Sequence, residues 1–155
     1  MPPALREEIR QRRPFPSLEE EAFLNLARTA AVVRDHFERL LAPHGISLAQ
    51  YNVLRILRGA GPEGLCRNEI RDRLITRMPD VTRLLDRMEA AGWITRARGT
   101  EDRRLVSTRL TPRGKALVNS LDAAVRTEHQ RRLGHLSNAQ LRSLIELLTL
   151  VRREP

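Results

Sequence analysis

The spacing of apolar residues near the start of the chain predicts a long helix. Between Leu18 and Leu41, apolar residues recur every three or four positions, which places them along one face of a helix. Ser17 and Glu20 match the S-x-x-E capping box that begins many helices, and Pro43 marks the end. Such a helix would have about 25 residues and a length of about 38 Å. An apolar stripe of that extent requires a partner surface.

A second helix is predicted from Ser47 to about residue 58. Ser47 and Gln50 form another capping box. Three residues make up its expected buried row: Tyr51, Leu54 and Leu57. The loop at residues 59–64 then spells G-x-G-x-x-G, but a dinucleotide site of that pattern follows a strand. Because a helix precedes this loop and Pro62 lies inside it, we interpret it as a helix-terminating turn.

Residues 65–92 have the pattern of two short helices joined by a turn. The first helix is expected from Cys66 to about residue 74. Thr76 is the expected N-cap of the second helix, with Pro79 in its first turn. The second helix has an apolar stripe with the spacing i, i+3, i+4 and i+7: Val81, Leu84, Leu85 and Met88. Gly92 follows as a typical residue just past a helix. This pattern predicts a helix-turn-helix.

A two-stranded hairpin is predicted after this helix pair. Residues 93–98 have strand character, residues 99–102 turn the chain, and residues 104–110 return with alternating apolar side chains. Two strands alone are only marginally stable in water. The hairpin must therefore lie against the helices.

The last part of the chain predicts two further helices. Thr111 and Pro112 match an N-cap followed by proline at the first helical position, and this helix is expected to end near residue 132. Ser137 and Gln140 begin the last helix. The predicted fold is therefore mainly α with a small β-hairpin wing, a winged helix-turn-helix flanked by long helices.

The charge of the chain narrows the choice of partner. Its 155 residues include 28 basic and 19 acidic ones, a formal net charge of +9. Such an excess favours a polyanionic partner, either nucleic acid or an anionic membrane surface. Every basic residue except Lys115 is arginine, which suits bidentate contacts with phosphate and guanine. A genome rich in arginine codons would explain the choice of arginine equally well, but it would not explain the net charge.

Other sequence features exclude several classes of protein. Cys66 is the single cysteine, so no internal disulfide can form and a reducing compartment is expected. The N-terminus lacks the apolar segment of a signal peptide, and no stretch reaches about 18 consecutive apolar residues. We therefore expect a cytoplasmic protein without a membrane partner. The four histidines lack the i, i+4 spacing of a zinc site, and no H-E-x-x-H or G-x-S-x-G motif occurs. We predict no metal, no cofactor and no enzymatic activity.

The second helix of the pair would present a polar and basic surface once its apolar stripe is buried. Its candidate DNA-contacting residues are Arg77, Met78, Asp80, Thr82, Arg83 and Arg87. The N-terminal part of such a helix reaches base edges in the major groove. We expect Arg83 to contact a guanine, and Thr82 a thymine methyl group or a phosphate. Arg77 and Arg87 would neutralise phosphates. Alone, an arginine-bearing helix face is more typical of a solvated surface.

The hairpin tip supplies a second basic element. Arg103 and Arg104 lie beside Asp102, where core packing does not require them. One carboxylate can hold an arginine in a defined direction by a bidentate pair, which leaves the other arginine free to enter a narrow minor groove. A helix pair with a basic hairpin indicates DNA binding more specifically than either part. A winged helix that contacts only proteins remains the alternative, and it would lack a steep dependence of DNA affinity on salt.

Two longer stretches match the pattern of a known family. Residues 81–96 read VTRLLDRMEAAGWITR, and the D-R-R of residues 102–104 is followed by L-T-P-R-G at residues 110–114. They resemble the MarR family of winged helix-turn-helix transcriptional regulators, with Met88 and Trp93 as departures that keep apolar character. The resemblance extends over residues 17–153.

The resemblance implies a homodimer. Residues 17–46 and 112–155 would form the dimerisation helices, residues 47–111 the DNA-binding lobe, and residues 1–16 an N-terminal arm. Two recognition helices about 34 Å apart would then read a palindromic operator. Family members are mostly repressors released by small, often phenolic or aromatic ligands, which bind between the dimerisation helices and the DNA-binding lobe. Four residues could line such a crevice or simply belong to ordinary packing and surface, so we assign no ligand-binding residue: His36, His44, Tyr51 and Arg55.

A thiol-based redox regulator is a further alternative. Peroxide-sensing relatives carry a reactive cysteine near the start of the first helix, beside tyrosines. Cys66 instead precedes the helix-turn-helix, and Tyr51 is the single tyrosine. A position near a helix N-terminus would make the thiol more reactive, whereas a small buried residue is the simpler interpretation.

Overall fold

Helices account for most of the chain in the computed structural model, which describes residues 4–98 and 106–153. In chain order, the helices are α1 (Leu5–Glu8), α2 (Leu18–Leu41), α3 (Leu48–Ala60), α4 (Arg67–Arg73), α5 (Val81–Ala90), α6 (Pro112–Leu133) and α7 (Asn138–Val151). A short 3₁₀ helix, Ala42–His44, follows α2. The strands are β1 (Leu65–Cys66), β2 (Ile94–Arg98) and β3 (Val106–Leu110). The predicted class, mainly α with a small β wing, is confirmed.

Serine hydroxyl groups begin three of these helices where the sequence predicts. Ser47 accepts a hydrogen bond from the backbone N–H of Gln50, and the Gln50 side chain accepts one from the N–H of Ser47 at 2.9 Å. Ser137 and Gln140 form the same reciprocal pair. Ser17 accepts a hydrogen bond from the N–H three residues later at 3.2 Å. These bonds satisfy backbone groups that lack a partner inside the helix, and so they define where α2, α3 and α7 begin.

The sheet has three strands rather than the two of the predicted hairpin. β3 lies in the middle and pairs antiparallel with both β1 and β2. Leu65 lies opposite Thr108, and Ile94 lies opposite Leu110. No sequence pattern predicts β1, because a strand of two residues is too short to show alternation. Its pairing with β3 ties the base of the wing to the segment that precedes α4.

The start of α5 differs from the prediction. Asp80, not Thr76, is its N-cap, and the Asp80 carboxylate accepts a hydrogen bond from the N–H of Arg83 at 3.0 Å. Pro79 therefore precedes the helix instead of lying in its first turn. The reason is steric, because proline disfavours the helical conformation for the residue before it, here Met78.

One face of α5 is buried in the main core. Its four core residues are those of the predicted stripe, and none is more than 5% exposed: Val81, Leu84, Leu85 and Met88. They share one apolar cluster with residues of α3, α4 and β2: Tyr51, Leu54, Leu57, Ile70 and Ile94. Burial of one such side chain contributes roughly 1.5–3 kcal/mol. A rotation of α5 about its axis would expose these apolar side chains to water, which is unfavourable. Burial of the stripe therefore fixes the directions in which the other faces of α5 point.

α6 is held to the same core by apolar contacts and by one ion pair. Val118, Leu121 and Val125 belong to the cluster. Arg58 of α3 makes a bidentate contact with Asp122 at 2.8 and 3.0 Å. The hydrogen bonds from Arg58 lower the pKa of the Asp122 carboxyl. The long helix and the lobe therefore share a polar link as well as an apolar one.

Thr111 joins the end of α5, the sheet and the start of α6. Its hydroxyl donates a hydrogen bond to the carbonyl oxygen of Gly92 at 2.7 Å and accepts one from the N–H of Gly114 at 3.0 Å. Its backbone N–H donates to the carbonyl oxygen of Trp93 at 3.1 Å. A Cβ atom at Gly114 would overlap that same carbonyl oxygen. The L-T-x-x-G pattern is therefore the joint at which the lobe meets the long helix.

The helices near the two ends of the chain differ in how many apolar side chains they bury. α1 is a single turn that buries Leu5, and Glu8 pairs with Arg28 of α2 at 3.7 Å. α7 has no buried residue, and its exposed apolar residues are Leu144, Ile145, Leu147, Leu150 and Val151. Leu18 and Phe23 of α2 are 81% and 69% exposed. Within the described ranges, no helix has both the length and the apolar character needed to cross a membrane.

Gly114→Ala is expected to destabilise the protein by about 1–3 kcal/mol, because the added methyl group overlaps backbone atoms that cannot move independently. Urea denaturation measures the change. Gly59→Ala is the matched control, since a Cβ at this position in α3 meets no atom within 4 Å. Alanine is the better helix former there, so a gain of up to about 1 kcal/mol is expected. Equal effects of the two substitutions would contradict the close approach at Trp93.

Candidate nucleic-acid interface

The exposed side of α5 is the centre of the candidate interface. Thr82, Arg83, Asp86 and Arg87 are all exposed, opposite the buried stripe. The Arg83 side chain is 83% exposed. This placement agrees with the expectation for Thr82, Arg83 and Arg87, because a helix that enters a groove needs free side chains on its outer face.

The segment before α5 holds the other candidate residues of the helix pair. Arg77 is exposed, whereas Met78 is half-buried and packs against the core. Neither residue is on the helix, contrary to the prediction. Asp80 is the N-cap, and its second carboxylate oxygen lies 3.3 Å from Nε of Arg83. Met78 therefore has a packing role, and Asp80 has contacts with Arg83 that its sequence position does not reveal.

Arg67 at the start of α4 also belongs to this surface. Its guanidinium donates a hydrogen bond to the hydroxyl of Thr82 at 3.3 Å. Sequence reasoning overlooked Arg67, since it lies outside the second helix and its only signal is its basic character. The contact brings the first helix of the pair to the N-terminal part of α5, where phosphate contacts and base contacts meet in helix-turn-helix proteins.

Arg96 on β2 clamps the wing to α5. Its guanidinium donates to Glu89 at 2.6 and 2.9 Å and to Asp86 at 2.6 Å, while its backbone N–H donates to Glu89 at 3.0 Å. The hydrogen bond from Arg96 lowers the pKa of the Glu89 carboxyl, and the same bond raises the pKa of Arg96. Charge-assisted bonds of this kind are short and directional, so the base of the wing keeps a fixed position relative to the helix.

The wing itself is described only at its base. Arg98 at the end of β2 is exposed. Arg109 of β3 is exposed and donates to the carbonyl oxygen of Glu63 at 3.2 Å. The predicted tip residues Asp102, Arg103 and Arg104 lie outside the described residues, so their roles remain predictions.

Comparison with known proteins identifies the family. The family model described as "MarR family" matches residues 46–106, the helix-turn-helix with most of the wing. A MarR transcription factor from Planctomyces limnophilus, known from a crystal structure, is 42% identical in sequence. The match covers 88% of this chain and 99% of that chain, with a TM-score of 0.68. The chain belongs to the MarR family.

Two further relatives extend the comparison. The HTH-type transcriptional regulator TtmR of Methylorubrum extorquens (strain PA1) is 40% identical over 91 residues, which cover 59% of this chain but only 46% of TtmR. A mutant MarR from E. coli, known from a crystal structure of its complex with operator DNA, is 29% identical with a TM-score of 0.72. That match covers 88% of this chain and 99% of the E. coli chain. MarR-family proteins are transcription factors and not enzymes.

The environment of Cys66 in this MarR-family chain does not favour the redox alternative. Cys66 is half-buried, pairs with Ser107 in the sheet and caps α4. Its N–H donates to the Glu69 carboxylate at 2.8 Å, and that bond lowers the pKa of Glu69. These contacts give Cys66 a structural role at the junction of β1 and α4, the simpler of the two interpretations of this residue.

Of the four residues considered for a ligand crevice, Tyr51 and Arg55 lie one turn apart on α3, whereas His36 lies on α2 and His44 in the 3₁₀ helix. Tyr51 is buried in the core, and this burial raises the pKa of its hydroxyl group. His36 contacts Arg132 at 2.8 Å. Desolvation and the charge of Arg132 lower the pKa of His36. An open cleft of about 700 Å³ between α2 and α3 is lined by none of the four. Within the described chain, no three His, Cys, Asp or Glu residues are grouped to hold a metal ion.

Arg96→Met is expected to lower the free energy of unfolding by about 1 kcal/mol at neutral pH, a small effect because Glu89 and Asp86 remain partly exposed to water. The folded-state pKa of Glu89 is below its ordinary value of 4.5. The clamp therefore stabilises the fold above that value, and its contribution is lost as the pH falls through the lowered pKa.

Urea denaturation at about pH 7 and about pH 3 measures this difference. Arg98→Met removes an exposed arginine from the same strand and serves as the control, with an expected change of less than about 0.5 kcal/mol. A deficit for Arg96→Met that is as large at acidic pH as at neutral pH would contradict the role of Glu89.

Proposed function

We propose that this MarR-family protein is a cytoplasmic, sequence-specific regulator of transcription that binds double-stranded DNA. The observation that carries the proposal is the exposed polar face of α5, held beside the base of the wing by Arg96. Arg67 and Arg83 lie on the same surface. The complex of the E. coli relative with operator DNA supports DNA as the partner.

We assign a role to each segment of the chain on the basis of the same features. Residues 47–111 form the DNA-binding lobe, residues 17–46 and 112–155 form the dimerisation helices, and residues 1–16 form an N-terminal arm. Thr111 and the Arg58–Asp122 pair connect the lobe with α6. A rigid connection is what a regulator needs if dimerisation is to define the spacing of two recognition helices.

The protein acts as a homodimer on a palindromic operator. Support comes from the large apolar side chains that α7 and the first half of α2 leave exposed, because apolar surface left exposed in this amount is typical of interaction sites. A two-fold dimer buries the same patch on both copies. Recognition helices about 34 Å apart would then contact two half-sites one helical turn apart.

The regulator is a repressor that a small phenolic or aromatic molecule releases from DNA. This part of the proposal rests on the family resemblance, and the ligand-binding residues are left unassigned. Titration of the protein–operator complex with simple phenolic acids tests it. Release from the operator, without loss of the folded dimer, is the supporting result.

Binding of a palindromic duplex should weaken steeply as salt is raised, because each phosphate contact contributes about −0.9 to the slope of log K against log salt. Arg83→Ala should weaken binding of the operator by about 1–3 kcal/mol, and it should lose its preference for one base pair of each half-site. Arg39→Ala removes the same charge from α2 and should change affinity far less. Fluorescence anisotropy measures both variants.

A shallow salt slope would instead favour the protein-interaction alternative. If Arg83→Ala lost the same affinity for every duplex, α5 would contact only phosphates and would not read bases.

Ile145→Arg is expected to convert the dimer to a monomer, because it places a charge in the exposed apolar face of α7. Ile145 is 64% exposed in the single chain, so the fold itself should persist. Glu146→Arg is the control, because Glu146 follows Ile145 in sequence but lies on the polar side of α7. Sedimentation velocity distinguishes one chain mass from two. A wild-type protein that sediments as a monomer would contradict the dimer.

A further inference from the structure

Asp80 makes two different contacts with Arg83. One carboxylate oxygen accepts a hydrogen bond from the backbone N–H of Arg83 at 3.0 Å and caps α5. The other oxygen lies 3.3 Å from Nε of the Arg83 guanidinium. One side chain therefore both begins the helix and holds the residue expected to contact guanine.

Neither capping nor folding stability requires a charge at this position. Serine and asparagine cap helices about as well as aspartate. The ion pair is exposed, with 83% of the Arg83 side chain and 50% of the Asp80 side chain accessible, and such pairs contribute little to stability. A carboxylate on a surface that faces phosphates also opposes DNA binding in general. The interaction of this charge with the helix dipole is likewise small at an exposed site, so a second explanation for the negative charge is needed.

The geometry of the guanidinium supplies one. Asp80 engages Nε, and among the described residues no other side chain bonds to the two terminal nitrogens of Arg83. These are donors of a planar fork that can reach O6 and N7 of one guanine. A flexible arginine loses side-chain entropy when it is ordered on binding. A contact that already restricts Arg83 reduces that loss, and it strengthens when DNA displaces the surrounding water.

We infer that Asp80 is a positioning residue that determines base specificity by holding Arg83 through Nε. The inference rests on the proposed DNA-reading function. Asp80 itself need not contact DNA, and its effect is confined to the base pair that Arg83 reads.

Asp80→Asn tests this inference, because asparagine keeps an oxygen for the cap but removes the charge that holds Nε. The full-length protein would first select its operator from random duplexes. Affinities of wild type, Asp80→Asn, Arg83→Ala and the double variant are then measured at one salt concentration, on the operator and on each single base-pair change of a half-site. Asp80→Ser, a second capping residue without charge, repeats the test. Thermal unfolding verifies that each variant folds.

Asp80→Asn should lose about threefold to tenfold in discrimination at the base pair identified by Arg83→Ala, part of what one bidentate contact provides. Its affinity for unrelated duplexes should stay constant or rise, because a negative charge is gone. In the Arg83→Ala background, Asp80→Asn should have no further effect on discrimination.

Three results would overturn the inference while leaving the proposed function intact. They are unchanged discrimination in both Asp80 variants, an equal loss at every base pair, and sharper discrimination, which would mean that Asp80 withholds Arg83 from DNA. A wild-type protein that selects no sequence at all would overturn the proposed function itself, and the inference with it.

Discussion

The hydroxyl group of Thr111 makes the contact on which the arrangement of this protein depends. It bonds to Gly92 at the end of α5 and to Gly114 at the start of α6, while the absence of a side chain at Gly114 lets α6 approach Trp93. Three elements thus meet at one residue: the recognition helix, the base of the wing and the long helix that leads to the proposed dimer interface. A change at Thr111 would alter the direction of α5 relative to α6.

Arginine has two distinct uses in this chain, and the net charge does not separate them. Arg58 connects α3 with α6, Arg96 connects the wing with α5, and Arg132 pairs with Glu128 inside α6. Arg83 and Arg87 are exposed on the outer face of α5. The composition indicates a polyanionic partner, but part of the positive charge holds the scaffold together. Of these two groups, the second is the one that we propose to contact DNA.

Much of the fold follows from local signals, and the exceptions have physical reasons. Capping residues such as Ser47 and Thr111, and the stripe from Val81 to Met88, are visible in the sequence because each depends on neighbours within a few positions. β1 is not visible, since its partner strand β3 lies far along the chain. The Arg96 clamp is not visible, because it depends on how β2 packs against α5. At α5 both Thr76 and Asp80 are residue types that cap helices, and Pro79 prevents the helix from beginning at Thr76. Arg67 contacts Thr82 on another helix, which no local pattern indicates. The contacts between Asp80 and Arg83 are local, and they become apparent only when Asp80 rather than Thr76 is the N-cap.

The central claim is that two α5 helices of a dimer read guanines in successive major grooves. Protection of guanine N7 from methylation by dimethyl sulfate tests it most directly, because N7 lies in the major groove where Arg83 is expected to bind. We predict one protected guanine in each half-site, about one helical turn apart, with both protections lost in Arg83→Ala. Protection that is absent, unsymmetrical or unchanged in Arg83→Ala would contradict this account.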